Sequence, residues 1–406
     1  MQEFAMGTRR FLAGTPLRQP MNAVLFGILF IGLLVLGAYN LLWPLYGGAT
    51  RMIQTFVIGA CLAGLCSVPA IIIVWFLDRR QHESPFLLMG AALWGAVVST
   101  SMSLVFSNSL YGYILQVAKQ SGGTVFGVSA ETFAAVVTSP IVEETVKGVA
   151  IFALFWLLQS DFTDLRDGVL FGAMVGLGFN AAQYTIFLLD EYAYSGIPPF
   201  LSLAALQFVF LGVNGHFIYS ALFGAGFGLA RQTHNPSLRW QAPLVGFGLA
   251  ILANVLANSV GTKVINEIVR ALTGQRLLFA STPTYLVWVA TALGTLVSQF
   301  WAYILLGAMI YRNEKWEIET IRQELLDEVN THVTPEEYVL IEEEVPFRGR
   351  TVPGYPAKTA HALMHAQNEL AYRKWHVTEE GGRVEEDELV NAWRAKILQL
   401  RSTVKT

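Results

Sequence analysis

Long apolar runs separated by short polar connections fill the first three quarters of the chain. Eight of these runs are long enough to cross a hydrocarbon layer of ~30 Å as helices. They cover roughly residues 22–43, 54–77, 85–108, 132–159, 167–189, 200–230, 240–261 and 283–311. The first run is too long for the core of a signal peptide and lacks a small-residue cleavage site, so we interpret it as an uncleaved span.

The pattern after the last run mixes polar and apolar positions. Near-helical spacing of apolar side chains predicts helices at 313–329, 357–375 and 385–401. Thr334 and Pro335 form a helix-start signal, with Thr334 as the N-cap and Pro335 at the first helical position. The final part of the chain is therefore predicted to be mainly helical and soluble.

Charge divides the chain in the same way. Residues 1–311 carry 26 charged side chains, whereas the 95 residues of 312–406 carry 31. We therefore predict an all-α fold: a polytopic bundle of about eight membrane spans over 22–311, preceded by a cytoplasmic segment 1–21 and followed by a small helical cytoplasmic tail domain over 312–406.

The composition agrees with a membrane protein. Hydrophobic residues make up 53% and charged residues 14% of the chain, against about 25% charged in an average soluble domain. This composition argues against a soluble two-domain enzyme, and a net charge of −3 gives no sign of a nucleic-acid partner. The two cysteines, Cys61 and Cys66, lie five apart in one apolar run and suggest neither a disulfide framework nor a metal knuckle.

Lys and Arg residues are unequally divided between the two sides of the predicted bundle. One side, which includes both termini, carries ten of them and the other carries five. The positive-inside rule therefore predicts a multi-pass protein of the cytoplasmic membrane with both termini in the cytoplasm.

Ionisable residues within a span are costly and mark candidate functional sites. The fourth run carries Glu143, Glu144 and Lys147 near its middle. Lys147 lies three and four positions after the two glutamates, so it can pair with either on one helix face. Pro140 lacks a backbone N–H and leaves a carbonyl one turn earlier without its helical donor, which suits a cavity.

Other polar side chains lie at comparable depth in later spans. They are Gln183, His216, Asn254 and Asn258. A lone histidine in a span is commonly a packing residue, and amides commonly join helices by hydrogen bonds. Together with the two glutamates, however, these groups allow four helices to direct acid, imidazole and amide groups into one chamber. Glycines at 168, 172, 176, 224 and 228 are instead interpreted as helix-packing positions.

These residues, in this order, resemble the motifs of the PrsW-type intramembrane proteases, which belong to the superfamily of CAAX prenyl proteases and bacteriocin-processing enzymes. Glu143-Glu144-x-x-Lys147-Gly148 is similar to the EExxK signature. The segment 167–179, which ends at Phe179, is similar to the second motif, and His216 to the third. The resemblance covers roughly residues 130–260.

Two positions differ from the family pattern. The second motif normally continues to a glutamate, where this chain has Gln183. The last motif is usually His-x-x-x-Asn and here reads Asn254-x-x-x-Asn258. Neutral amides are poor metal ligands. We therefore expect no metal cofactor and no metal-ligating residue, and we keep zinc as the alternative.

The resemblance implies an endopeptidase that cleaves membrane-anchored, anti-sigma-factor-like proteins in or near the bilayer. Glu143, or Glu144, would act as general base on a water, and His216 would orient the water or carry a proton. Asn254 or Asn258 would donate to the developing oxyanion. Lys147, Gln183 and Phe179 would support the site. Two alternatives stay open, namely a silenced relative that still binds membrane segments and a proton-coupled transporter.

Overall fold

The structure is a computed structural model. It describes residues 15, 17, 19–46, 50–79, 83–159, 162–196, 213, 215–274, 284–379 and 381–402. These residues are overwhelmingly helical, which confirms the predicted all-α fold. The one sheet among them is the short antiparallel hairpin of β1 (Thr124–Val125) and β2 (Val128–Ser129).

Twelve helices are named here in chain order. They are α1 (Pro20–Leu42), α2 (Thr50–Leu77), α3 (Pro85–Gln120), α4 (Ser139–Leu157), α5 (Leu165–Ser195), α6 (His216–Gln232), α7 (Pro236–Leu256), α8 (Thr262–Thr273), α9 (Thr284–Leu325), α10 (Pro335–Glu342), α11 (Ala357–Glu379) and α12 (Glu388–Ser402). Short 3₁₀ turns occur at Trp43–Leu45 and Val384–Glu386.

Six helices of the described chain are long and apolar enough to cross a membrane. They are Pro20–Leu42, Thr50–Leu77, Pro85–Gln120, Leu165–Tyr194, Pro236–Thr273 and Val289–Leu325. Two of the eight predicted spans are not among them. The fourth is helical but carries Glu143, Glu144 and Lys147, and much of the sixth, 200–212, lies outside the described residues.

Three wide π-helical turns occur within or next to the long helices. They lie at Trp94–Ser99 within α3, at Ala134–Thr138 before α4, and at Ala257–Gly261 between α7 and α8. π-Turns often occur at functional sites. Nothing in the hydrophobic periodicity predicted them.

Glycines bring α5 and α6 into close contact. A Cβ atom at Gly172 would lie 2.2 Å from the carbonyl oxygen of Ser220, and one at Gly168 would lie 2.1 Å from the carbonyl oxygen of Gly224. Only glycine allows the two backbones to approach this closely. The predicted small-residue stripes therefore fix the crossing of the two helices, and His216 is the first residue of α6.

The chain divides into two compact units. One comprises the described residues of Phe11–Phe76 and Ser84–Leu306, and the other those of Leu77–Glu83 and Gly307–Thr406. The second unit has its own apolar core. Its fully buried members include Ile321, Leu325, Val333, Ile341, Leu363, Leu370, Val390 and Ile397.

The tail helices agree with the sequence except at one boundary. The Thr334 hydroxyl caps α10 by accepting a hydrogen bond from the backbone amide of Glu337. The side-chain carboxylate of Glu337 in turn accepts from the backbone amide of Thr334, which completes a capping box. The helix predicted at 313–329 is not separate, because it forms the last part of α9, which ends at Leu325. No Pro or Gly stands between the apolar run and the amphipathic segment to end the helix earlier.

Candidate active site

Two glutamates and a lysine lie within the first three turns of α4. Glu144 and Lys147 have no exposed side-chain surface, and Glu143 is 8% exposed. Burial of charged groups is tolerated only when they are paired. The structure therefore has to satisfy three charges inside the bundle, and it does so with side chains from three neighbouring helices.

Lys147 links α4 to α6. Its Nζ lies 2.6 Å from Oε1 of Glu144 and 2.7 Å from Nδ1 of His216. The rings of Phe179 and Tyr219 lie 4.9 and 5.8 Å from the same nitrogen, within cation–π range. The ammonium is therefore enclosed by one carboxylate, one imidazole and two aromatic faces.

The hydrogen bonds of His216 define its tautomer. An ammonium can only donate, so the Nδ1 of His216 accepts from Lys147. The other ring nitrogen, Nε2, then carries the hydrogen and donates to the side-chain oxygen of Gln183 at 2.9 Å. The amide nitrogen of Gln183 lies 3.4 Å from Oε1 of Glu143 and donates to it. Gln183 therefore connects the imidazole to the more exposed glutamate.

Asn254 of α7 holds the two glutamates together. Its Nδ2 lies 2.9 Å from Oε2 of Glu143 and 2.9 Å from Oε1 of Glu144. Ser139 adds a hydroxyl bond of 2.9 Å to Oε1 of Glu143. Glu143 thus accepts hydrogen bonds from three side chains, those of Ser139, Gln183 and Asn254.

Asn258 does not reach the glutamates. Its Nδ2 donates to the carbonyl oxygen of Ala135 at 3.0 Å and to Oδ1 of Asn254 at 3.2 Å. The predicted oxyanion role needs an amide hydrogen free to meet substrate. In the described arrangement, both hydrogens of Asn254 and both hydrogens of Asn258 face other acceptors.

Two amide side chains that the sequence analysis did not select position the start of α6. Gly215, with φ of 60°, precedes His216 and provides no side-chain cap. The Gly215 amide instead donates to Gln299 of α9 at 3.0 Å, and the His216 amide donates to Asn180 of α5 at 3.2 Å. Gln299 also donates to the hydroxyl of Tyr219 at 3.1 Å. No local motif marks these residues, because their partners are backbone groups on another helix.

Three of these side chains form a group that could hold a metal ion. Ligand atoms of Glu143, Glu144 and His216 all lie within 4.8 Å of one another. The closest imidazole–carboxylate pairs are 3.6 Å to Glu144 and 3.8 Å to Glu143. The first distance is from Nδ1 of His216 and the second from Nε2. One ion takes only one ring nitrogen, and ligand atoms at ~2.0–2.2 Å from a tetrahedral zinc lie roughly 3.3–3.6 Å apart, so the three donors would have to move closer together to bind it.

One further observation supports the fit to a cation. Oε2 of Glu144 is buried, and no donor among the described residues satisfies it. A buried carboxylate oxygen without a donor is costly, and a bound metal or water would satisfy it. The donor types, two carboxylates and one imidazole, are those that zinc takes in proteins. The residues present therefore fit a divalent metal.

The fold and the site define a helical membrane protein with a buried carboxylate–imidazole centre. A family model described as PrsW family intramembrane metalloprotease matches residues 83–293, just over half of the chain. The chain belongs to this family. No curated protein and no solved structure matches the chain.

The family assignment argues against the expectation that the site has no metal cofactor. A family of metalloproteases, together with the Glu143–Glu144–His216 group, favours a metal site, the alternative that the sequence left open, over a centre without metal. The matched region includes every candidate site residue, from Glu143 to Asn258. It also includes Asn180, which the sequence analysis did not select, but not Gln299.

Proposed function

We propose that this protein is an intramembrane endopeptidase that hydrolyses peptide bonds of membrane-anchored proteins, such as anti-sigma-factor-like substrates. The observation that carries the proposal is the convergence of Glu143, Glu144 and His216 within 4.8 Å inside a membrane bundle. Membership of a protease family gives that centre its reaction class. The same family supports a membrane location. The Lys and Arg distribution is the argument for a multi-pass location in the cytoplasmic membrane with both termini in the cytoplasm.

Glu143 is the better candidate for the general base. It is the carboxylate of the pair with exposed side-chain surface, so water can reach it. Hydrogen bonds from Ser139, Gln183 and Asn254 hold its carboxylate group in place. It would take a proton from the attacking water and later deliver a proton to the leaving amine.

Glu144 and His216 would hold the metal, and Glu143 beside them would stay free to act as the base. When bound, the metal would act as a Lewis acid on the scissile carbonyl and on the water. This charge stabilisation is what the two asparagines do not offer, since their amide hydrogens face acceptors of the chain itself. Gln183 keeps the imidazole in one tautomer through its bond to Nε2.

The test is a search for new protein termini in membranes. Membranes from cells that express the wild-type chain would be compared with membranes containing Glu143→Gln, Glu144→Gln or His216→Ala. Amino-terminal labelling and mass spectrometry would identify cleavage products. Glu131→Gln is the matched control, because Glu131 is an exposed carboxylate shortly before α4.

We expect termini within or beside single transmembrane segments for the wild type and for Glu131→Gln, and none for the three site variants. Identical termini in all strains would contradict the proposal. Wild-type protein that captures single-span proteins without cleaving them would support a silenced relative, for which the neutral residues Gln183 and Asn254 are the structural argument.

A further inference from the structure

The position that a cation would take in this site already holds a cation of the chain. The Nζ of Lys147 contacts Oε1 of Glu144 and Nδ1 of His216, two of the atoms that the metal site offers. The side chain has no exposed surface. The ammonium therefore contacts two of the three groups that could hold a metal.

The tautomer of His216 strengthens this point. Nε2 carries the ring hydrogen and donates to Gln183, so Nδ1 is the ring nitrogen that has a lone pair. That lone pair points at Lys147. In this arrangement, the imidazole can ligate a metal only if the ammonium leaves Nδ1 or if the ring changes both of its hydrogen bonds.

Charge makes simultaneous occupancy unfavourable. Glu143 and Glu144 carry two negative charges, and Lys147 neutralises one of them within hydrogen-bonding distance. A divalent ion beside Glu144 would place two cations next to each other in a buried site, where repulsion is strong. The carboxylate–imidazole centre can hold either the ammonium or the metal at this point.

We propose that Lys147 is the resident counter-ion of the site and that a divalent first-row metal, such as zinc, binds by displacing its ammonium from Glu144 and His216. This inference rests on the metal site of the proposed function. The rings of Phe179 and Tyr219 lie close enough to offer the displaced ammonium an electron-rich surface. Lys147 is then a positioning residue that sets metal affinity.

The experiment measures metal binding by the purified full-length protein in detergent. Cobalt(II) serves as the probe, because its visible absorption reports the ligand set, and zinc is added in competition. Lys147→Met removes the charge but keeps an unbranched side chain, whereas Lys147→Arg keeps a charge that cannot be lost. Lys119→Met is the matched control, since Lys119 is exposed at the end of α3.

We expect Lys147→Met to bind cobalt at least about tenfold more tightly than the wild type, as removal of a close charge implies. Lys147→Arg should bind about tenfold more weakly, and Lys119→Met should match the wild type. Equal or weaker binding by Lys147→Met overturns the inference. If that variant does not fold, binding by Lys147→Arg that equals or exceeds the wild type overturns it.

Failure of the metal site itself is recognised separately. Glu144→Gln should abolish the cobalt spectrum in the Lys147→Met background. Cobalt binding that persists in this double variant places the metal elsewhere and overturns the inference. The search for cleaved membrane proteins does not depend on cobalt, so its result judges the protease proposal independently.

Discussion

The side-chain amide of Asn258 lies 3.0 Å from the carbonyl oxygen of Ala135 and donates to it. The reason lies in Pro140. In the π-turn Ala134–Thr138, each carbonyl bonds an amide five residues later, as Ser139 does with Ala134. The next amide in that ladder would come from residue 140, which is proline, so the Ala135 carbonyl lacks its helical donor. Asn258 replaces the missing N–H.

This relationship predicts a stability role for Asn258. Asn258→Ala should lower the free energy of unfolding by about 1–2 kcal/mol, the usual cost of a lost hydrogen bond with an unsatisfied partner. Pro140→Ala returns an N–H to the ladder, so Asn258→Ala should cost less in that background. Thermal unfolding in detergent of the four proteins in this double-mutant cycle measures the coupling.

A cleavage assay distinguishes this structural role of Asn258 from the oxyanion role that the sequence suggested. With a structural role, folded Asn258→Ala protein keeps most of its activity. A fall in the cleavage rate by about a hundredfold or more at unchanged stability would assign the amide to the transition state instead.

The close approach of the two helices at Gly176 predicts that a larger residue there disturbs the site. A Cβ at this position would lie 2.0 Å from the carbonyl oxygen of His216. Gly176→Ala should therefore force α5 and α6 apart, cost about 1–3 kcal/mol or more, and displace His216. Gly248→Ala in α7 is the control, because no atom lies within 4 Å of a Cβ there. Equal melting temperatures for the two variants would show that the α5–α6 contact is looser than described.

The hydrogen bonds of Gln183 allow a prediction of how the site responds to a third carboxylate. Gln183→Glu removes the amide that donates to Glu143 and places a negative charge 2.9 Å from Nε2 of His216. Without metal, like-charge repulsion should lower the melting temperature. With zinc, the extra carboxylate should raise metal affinity about tenfold. The measurement is the zinc-induced shift of the melting temperature, and Gln120→Glu, an exposed change at the end of α3, is its control. A shift no larger than that of the wild type would contradict this prediction.

The ion pairs of Glu328 predict that the stability of the tail depends on pH, independently of the membrane site. Burial alone would raise the pKa of Glu328, but bonds from Arg394, Lys374 and His332 outweigh it and hold this pKa below its usual value. A carboxyl with a depressed pKa stabilises the fold above its unfolded-state value of about 4.5 and loses that contribution as the pH falls through the folded-state pKa.

Amide exchange in α11, corrected for the intrinsic exchange rates, should therefore show easier opening of the tail as the pH falls from 6 to 3. Glu328→Gln removes the titration and should weaken the tail by about 2 kcal/mol at pH 7. If Glu328→Gln protein shows the same pH dependence as the wild type, another group is responsible.

Sequence reasoning located the site because buried charge is rare in membrane spans. Glu143, Glu144, Lys147 and His216 stood out against an apolar background, and the structure places them together. The roles of Asn180, Gln299 and Ser139 were not predictable in the same way. Each donates to or accepts from a group whose position is set by helix packing, and a polar residue in a span gives no sign of its partner.

The helix ends show a similar limit. Apolar runs predicted the order of the long helices, although only six of the eight predicted spans are candidate membrane helices among the described residues. In addition, α9 continues beyond its apolar run to Leu325 because no breaker follows. The π-turns at Ala134–Thr138 and Ala257–Gly261 bring Asn258 and the Ala135 carbonyl together, yet Pro140 was the only sequence signal near them.

The central claim is that Glu143, Glu144 and His216 form a hydrolytic centre. Its most direct measurement uses the purified protein in liposomes with one single-span protein identified by its new terminus, with both fragments weighed by mass spectrometry. For the wild type and Glu131→Gln, we predict two fragments whose masses add up to the mass of the intact substrate plus one water. For Glu144→Gln and His216→Ala, we predict intact substrate. Equal cleavage by all four proteins, or none by the wild type on a substrate that it cleaves in cells, would contradict it.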